Sequence, residues 1–302
     1  MRKWLRAAAW LVVSLLVLVA GVFAVAWAKT EADLARTYAV DDPPLRLRGD
    51  AAERARGEHL YTVAGCVECH GQGGRGMVFI DGGPVAYVVA PNLTPAALAG
   101  RYDADAIAAA IRHGVGPDGR ALRVMPSTDF MNLSDEDTAA LVAYLQALPP
   151  LQNNPGTTEI RPLGRLLTLM GKFHLTPAAD IDHSPRTRSA PPEGPTAEYG
   201  AYLAQVCTGC HGMAWTGQRV PGTPPELPPA PNLTAHATGL QDWSEADFVR
   251  VLREGKRPDG GDVHPFMPWR SYGRMSDVEV QALWRHLQGL PATAGQVRQP
   301  PA

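Results

Sequence analysis

The apolar positions of this chain form one unbroken run followed by a series of short periodic stripes. The run is Ala7 to Ala28, 22 residues without an ionisable side chain, preceded by Arg2, Lys3 and Arg6. A membrane-crossing helix needs roughly 20 apolar residues, whereas the core of a cleaved leader holds about 7–15. The length predicts a retained single-pass anchor over residues 1–30. A cleaved signal peptide is the alternative, because Ala24-Val25-Ala26 and Ala26-Trp27-Ala28 both fit a small-x-small cleavage site. In either case the basic end stays cytoplasmic and the remainder is exported.

Beyond the run the stripes have helical spacing. "GEHLYTVAG" predicts a helix over about 51–65 that leads into Cys66. A second, over about 103–113, carries Ile107 and Ile111 on one face. A third opens at Ser134, whose acidic first turn of Asp135, Glu136 and Asp137 suits a capped N-terminus, and its stripe is Leu141, Tyr144, Leu145 and Leu148. The pattern then recurs: "AEYGAYLAQV" leads into Cys207, Ser244 opens a helix with Phe248 and Leu252, and Ser276 opens "SDVEVQALWRHLQGL". Apart from a short hairpin over 77–90, no strand pattern stands out, so the expected class is all-α.

The recurrence is close to a duplication with a shift near 141. Cys66 maps to Cys207, "APNLT" at 90–94 to "APNLT" at 230–234, "RHGVGPDG" at 112–119 to "REGKRPDG" at 253–260, and Met125-Pro126 to Met267-Pro268. Two domains of one fold follow, over 45–150 and 195–292. Residues 151–194 form a linker containing "EIRPLGRLLTLMGKFHL". Leu163, Leu166, Leu167 and Met170 sit there at helical spacing, flanked by Arg161, Arg165 and Lys172. This segment reads either as a helix packed on a domain or as one lying on a membrane or partner. Residues 293–302 read as a loose tail.

Composition changes the picture in two ways. A formal charge of −2 and the absence of a basic stripe argue against nucleic acid as a partner. All four cysteines fall into two clusters, "CVECH" at 66–70 and "CTGCH" at 207–211. In an exported protein four cysteines can make two disulfides, and Cys-Cys-His sets can bind zinc. The histidine directly after each C-x-x-C decides the reading, because C-x-x-C-H is the attachment signature of c-type haem. On a helical turn Cys66 and Cys69 face the two vinyl groups, while His70 meets the iron. Cys207, Cys210 and His211 repeat the set. For the sixth position Met125 and Met267 recur in register, each followed by proline, whereas Met131 and Met275 have no methionine counterpart. A thioether opposite His raises the reduction potential. The other histidines, His59, His113, His174, His183, His236, His264 and His286, read as surface or packing residues.

With C-x-x-C-H, PNLT, PDG, Met-Pro and the Ser-Asp helix in this order, the sequence resembles class I diheme cytochromes c. It is most similar to the cytochrome subunits of membrane-bound periplasmic dehydrogenases, and also to the cytochrome subunit of haem–copper oxidases. The resemblance implies two covalently bound haem c groups. His70, Met125, His211 and Met267 would be the iron ligands. It further implies an electron carrier, not an enzyme, anchored in a bacterial inner membrane with both haem domains periplasmic. The redox partners would be a dehydrogenase or quinol-oxidising complex upstream, and a terminal oxidase or soluble cytochrome downstream. A peroxidase-like diheme enzyme and a haem-sensing module are the competing readings. The recurrence of Met-Pro in both halves argues against an open haem, and two haems in tandem suit a relay.

Overall fold

The computed structural model describes residues 2–220, 223 and 226–295. Helix α1 (Arg2–Ala35) contains the whole apolar run and continues about two turns past it. Nearly all of the run is exposed, and only Ala26 and Thr30, one turn apart, are buried. The first unit follows: α2 (Ala51–Val63), α3 (Cys66–His70), strands β1 (Met77–Asp81) and β2 (Ala86–Ala90), α4 (Pro95–Leu98), α5 (Ala104–His113) and α6 (Asp135–Ala147). The linker supplies β3 (Glu159–Ile160) and α7 (Pro162–Leu169). The second unit comprises α8 (Ala197–Leu203), α9 (Thr208–His211), α10 (Glu245–Glu254), α11 (Trp269–Tyr272) and α12 (Asp277–Gln288).

The caps predicted at Ser134, Ser244 and Ser276 form, and Asp50 and Asp103 cap two further helices. The side chains of Asp50, Asp103, Ser134, Ser244 and Ser276 accept from backbone N–H groups three residues on, and Ser244 and Ser276 complete capping boxes with Asp247 and Glu279. In each unit the first and last helices cross at a glycine. A Cβ on Gly57 would lie 2.0 Å from the Ala140 carbonyl oxygen, and one on Gly200 2.0 Å from that of Ala282. The first core gathers Leu60, Tyr61, Ile107, Ile111, Leu141 and Leu145, and the second Tyr199, Leu203, Phe248, Leu252, Val280 and Leu283.

The strand content exceeds the sequence expectation. The hairpin forms as β1–β2, and the linker adds β3 to β2, giving an antiparallel sheet in the order β1-β2-β3. A two-residue strand has no period to read. The linker helix packs on this sheet and on α1, with Gly164 buried against the Val85 carbonyl and Arg165 stacked 3.6 Å over Trp27 and paired with Glu31 at 2.7 Å. The linker is further fastened through Asp42, His113, Arg188 and His183. His113 Nε2 lies 3.0 Å from Asp42 Oδ2, its Nδ1 3.0 Å from His183 Nδ1, and Arg188 Nη1 2.5 Å from the same Asp42 oxygen. Burial alone would raise the Asp42 carboxyl, but the bonds from His113, Arg188 and the Arg186 N–H outweigh it and hold it below its ordinary value.

The described start of the tail, residues 293–295, is fastened to the second unit. The Thr293 carbonyl accepts from Asn232 Nδ2 at 2.8 Å, and the Gly295 N–H donates to Thr238 at 2.9 Å. Residues 296–302 lie outside the described residues.

Where the two units meet, equivalent residues make reciprocal contacts. His59 Nε2 lies 2.9 Å from both Glu279 oxygens, while the equivalent Tyr202 hydroxyl donates to Asp137 at 2.7 Å. Val63 belongs to the second core and Val206 packs on the first. Ser271 donates to Glu68 inside the first C-x-x-C, and Asp129, equivalent to Ser271, sits against Gly209 inside the second. The register of the first helices is 143, not 141, because the second unit lacks two residues between helix and cysteine. A 3-10 turn, Ala204–Cys207, replaces the left-handed Gly65 there.

Two candidate haem sites

Both C-x-x-C-H clusters fold as short helical turns closed by a glycine at positive φ, Gly71 (φ 73°) and Gly212 (φ 79°). The next reversal brings the chain back past the histidine. The Gly76 N–H donates to the His70 carbonyl at 2.8 Å, and the Gly217 N–H to that of His211 at 3.1 Å. Both glycines have positive φ, and a Cβ on either would fall within 3 Å of the backbone of the proline in PNLT.

That close approach positions the histidines. His70 Nδ1–H donates to the Pro91 carbonyl at 3.0 Å, and His211 Nδ1–H to the Pro231 carbonyl at 2.9 Å. The bond fixes the tautomer, so Nε2 carries the lone pair that a metal needs. Both rings are buried, and burial holds them below the ordinary imidazole pKa, against the opposing effect of the proline carbonyls. PNLT is itself braced: Asn92 and Asn232 each accept from the Thr two residues on, and donate to the carbonyls of Leu151 and Thr293. In the sequence PNLT marks the repeat and the resemblance, but not this positioning of the histidines. Its exact recurrence, 21 residues after His70 and 20 after His211, was the available signal for this positioning role.

All four cysteines are unpaired, which leaves the disulfide reading without support. Burial pushes the Cys66 and Cys207 thiols up to about 12. No group of three or more His, Cys, Asp or Glu side chains arranged for a metal ion occurs among the described residues, so the zinc reading has no site there.

In the second unit the predicted set converges. Cys207, Cys210, His211 and Met267 line a single cavity of ≈ 930 Å³, with Trp215, Leu240, Phe248 and Leu252 among the apolar lining. Met275 also lines it and, at 3% exposure, is more buried than the half-buried Met267, so lining the cavity does not by itself choose between the two methionines. In the first unit Cys66 and Met125 pack against the same core cluster, and His70, four residues along from Cys66, is buried. The Met125 and Met267 carbonyls accept equivalent bonds, from Ser127 N–H and Trp269 N–H, each at 2.8 Å. Two thiols, an imidazole with a free Nε2 and a thioether around an apolar cavity are a fitting donor set for haem c. Bound there, the haem supplies a one-electron couple. The residues attach it, orient the imidazole and keep water out.

Fold and sites together define a c-type cytochrome with two haem domains in tandem. Residues 54–149 match the sequence model of the cytochrome c family, and residues 195–287 match that of the cytochrome c oxidase, cbb3-type, subunit III family. Each half is thus a cytochrome c domain, and the chain carries two covalently bound haem c groups and transfers electrons. Among its relatives is a diheme cytochrome c-type protein of Cereibacter sphaeroides, 26% identical over 85% of this chain and 92% of the relative. The cytochrome c subunit of a quinone-dependent alcohol dehydrogenase of Gluconobacter oxydans is 27% identical over 80% of this chain and 56% of the relative. The cytochrome c subunit of a gluconate 2-dehydrogenase of Pantoea cypripedii is 33% identical over 29% of this chain and 21% of the relative. The match thus spans about half of the alcohol dehydrogenase subunit and about a fifth of the gluconate dehydrogenase subunit.

Proposed function

We propose that this chain is a membrane-anchored diheme relay, with His70 and Met125 ligating one iron and His211 and Met267 the other. In this reading α1 crosses the inner membrane, both haem domains stand on the periplasmic side, and domains 45–150 and 195–292 each hold one haem. The observation that carries it is the convergence of Cys207, Cys210, His211 and Met267 on one apolar cavity. Occupying both axial positions leaves no place for a substrate, so the protein sets potentials, excludes water and offers a docking face. Electrons enter from a dehydrogenase or quinol-oxidising complex and leave to a terminal oxidase or soluble cytochrome. The named roles of the dehydrogenase relatives support a dehydrogenase donor. The match of residues 195–287 to a cbb3-type oxidase subunit supports a second reading, a cytochrome subunit of a haem–copper oxidase. Extraction with mild detergent tests the pathway. A dehydrogenase that co-purifies and reduces both haems on adding its substrate is the expected result, and an oxidase core in its place establishes the second reading.

A further inference from the structure

The linker helix α7 is inverted relative to an ordinary surface helix. It buries Gly164 and Arg165 against the protein, leaves Leu166, Leu167 and Leu169 half-buried, and turns Leu163 and its C-cap Met170 outward, at 38% and 59% exposure. A helix on a water-facing surface hides its leucines and solvates its arginine. An apolar stripe flanked by Arg161 and Lys172 suits a lipid boundary instead.

The position of α7 along α1 says what covers that stripe. Arg165 lies 3.6 Å over the ring of Trp27 and pairs with Glu31. These residues straddle Ala28, the last of the apolar run. At 1.5 Å per residue, Glu31 stands about 4.5 Å beyond Ala28 along the helix axis. The headgroup layer on each side of a hydrocarbon core is roughly 5–8 Å thick. Ala26, inside the run, is fully buried together with Thr30 on the same face, and α7 is the linker element packed on α1. With α1 in a bilayer, α7 is therefore held in the headgroup layer. Trp27 has the amphipathic character that favours this level.

We infer that α7 is a second membrane contact: its outward stripe, ending at Met170, inserts into the headgroup region of the bilayer that α1 crosses, with the exposed Lys172 directed to lipid phosphates while Arg161 stays paired with Asp81. This rests on the anchor reading. The contact fixes the tilt of the haem domains over the membrane, which a single helix would leave free. The lipid is recognised by its apolar boundary and phosphodiester charge.

The full-length holoprotein is tested in vesicles of phosphatidylethanolamine and phosphatidylglycerol. The haem cysteines are held in thioethers, so a nitroxide on Met170→Cys labels one site. Collisions with dissolved oxygen should exceed those with a water-soluble nickel chelate at least threefold, whereas Met213→Cys, at a site 80% exposed on the second unit, should favour the chelate. Hydroxyl-radical footprinting of the wild type avoids the substitution, and there Met170 should oxidise about tenfold more slowly than Met213. Water-like behaviour of Met170 in both measurements overturns the inference, whether the stripe is bare or kept for a protein. A carbonate wash separates this failure from that of the anchor. Protein that stays with the vesicles while Met170 is water-like leaves α1 as the sole contact. Protein released by carbonate contradicts both readings.

Discussion

At the scale of single residues, the haem-binding cysteines and histidines were legible because two C-x-x-C-H runs are a rigid chemical requirement written into five positions. The methionines proposed as ligands stand out only through the repeat, since Met267 and Met275 both line the second cavity. Met125→His should keep the first haem attached through Cys66 and Cys69 and markedly lower its potential, because imidazole favours the ferric state more than a thioether does. Met131→Leu should leave both potentials near wild type. A spectroelectrochemical titration of the two variants reads both outcomes, and loss of the sulfur-to-iron band in Met131→Leu would reverse the assignment. Asp129 was not legible at all, because its environment comes from the other unit. Burial against the second C-x-x-C loop raises its carboxyl to about 7. A folded-state value above the ordinary 3.8 means that stability is fully present below about pH 4 and is lost as pH rises through 7. Asp129→Asn should therefore match wild type in thermal midpoint at pH 4 and exceed it by several degrees at pH 8. Equal midpoints at pH 8 would show that the carboxylate is already solvated.

At the scale of elements, the helices were readable from caps and stripes, and their starts at Ser134, Ser244 and Ser276 form as those signals predict. The third strand and the inverted burial of α7 were not readable. Glu159–Ile160 pairs only because tertiary packing brings it to β2, and periodicity in α7 reports a stripe without saying which side faces inward. The helix crossings give a sharper test. Ala substitutions at Gly57 and Gly200 place a methyl against a neighbouring carbonyl. Each should cost about 1–3 kcal/mol, in line with overpacking elsewhere. In thermal unfolding followed by circular dichroism, Gly194→Ala should stay near wild type, since its nearest neighbour, a Thr196 methyl, lies 3.8 Å from the new Cβ.

At the scale of the whole molecule, the duplication predicted two like units but not how they face each other. The shift of 141 at the cysteines becomes 143 in the first helices, which hides the equivalence of His59 with Tyr202 and of Val63 with Val206. In the docked pair the C-x-x-C loops lie at the shared face, through Glu68 with Ser271 and Asp129 with Gly209. This arrangement suits transfer between the haems. Glu68→Ala combined with Asp129→Ala should loosen the face and slow internal electron equilibration after a flash-induced reduction, with both midpoint potentials shifting less than in Met125→His. Everything proposed for the relay depends on both haems being closed by His and Met. The near-infrared magnetic circular dichroism of the oxidised full-length protein, scaled to its haem content, decides that point. Two closed haems give a sulfur-to-iron band of full intensity for two haems per chain, unchanged by added cyanide at low concentration. A band worth one haem, accompanied by a high-spin signal that cyanide abolishes, would contradict the relay and make the protein a diheme with one open iron.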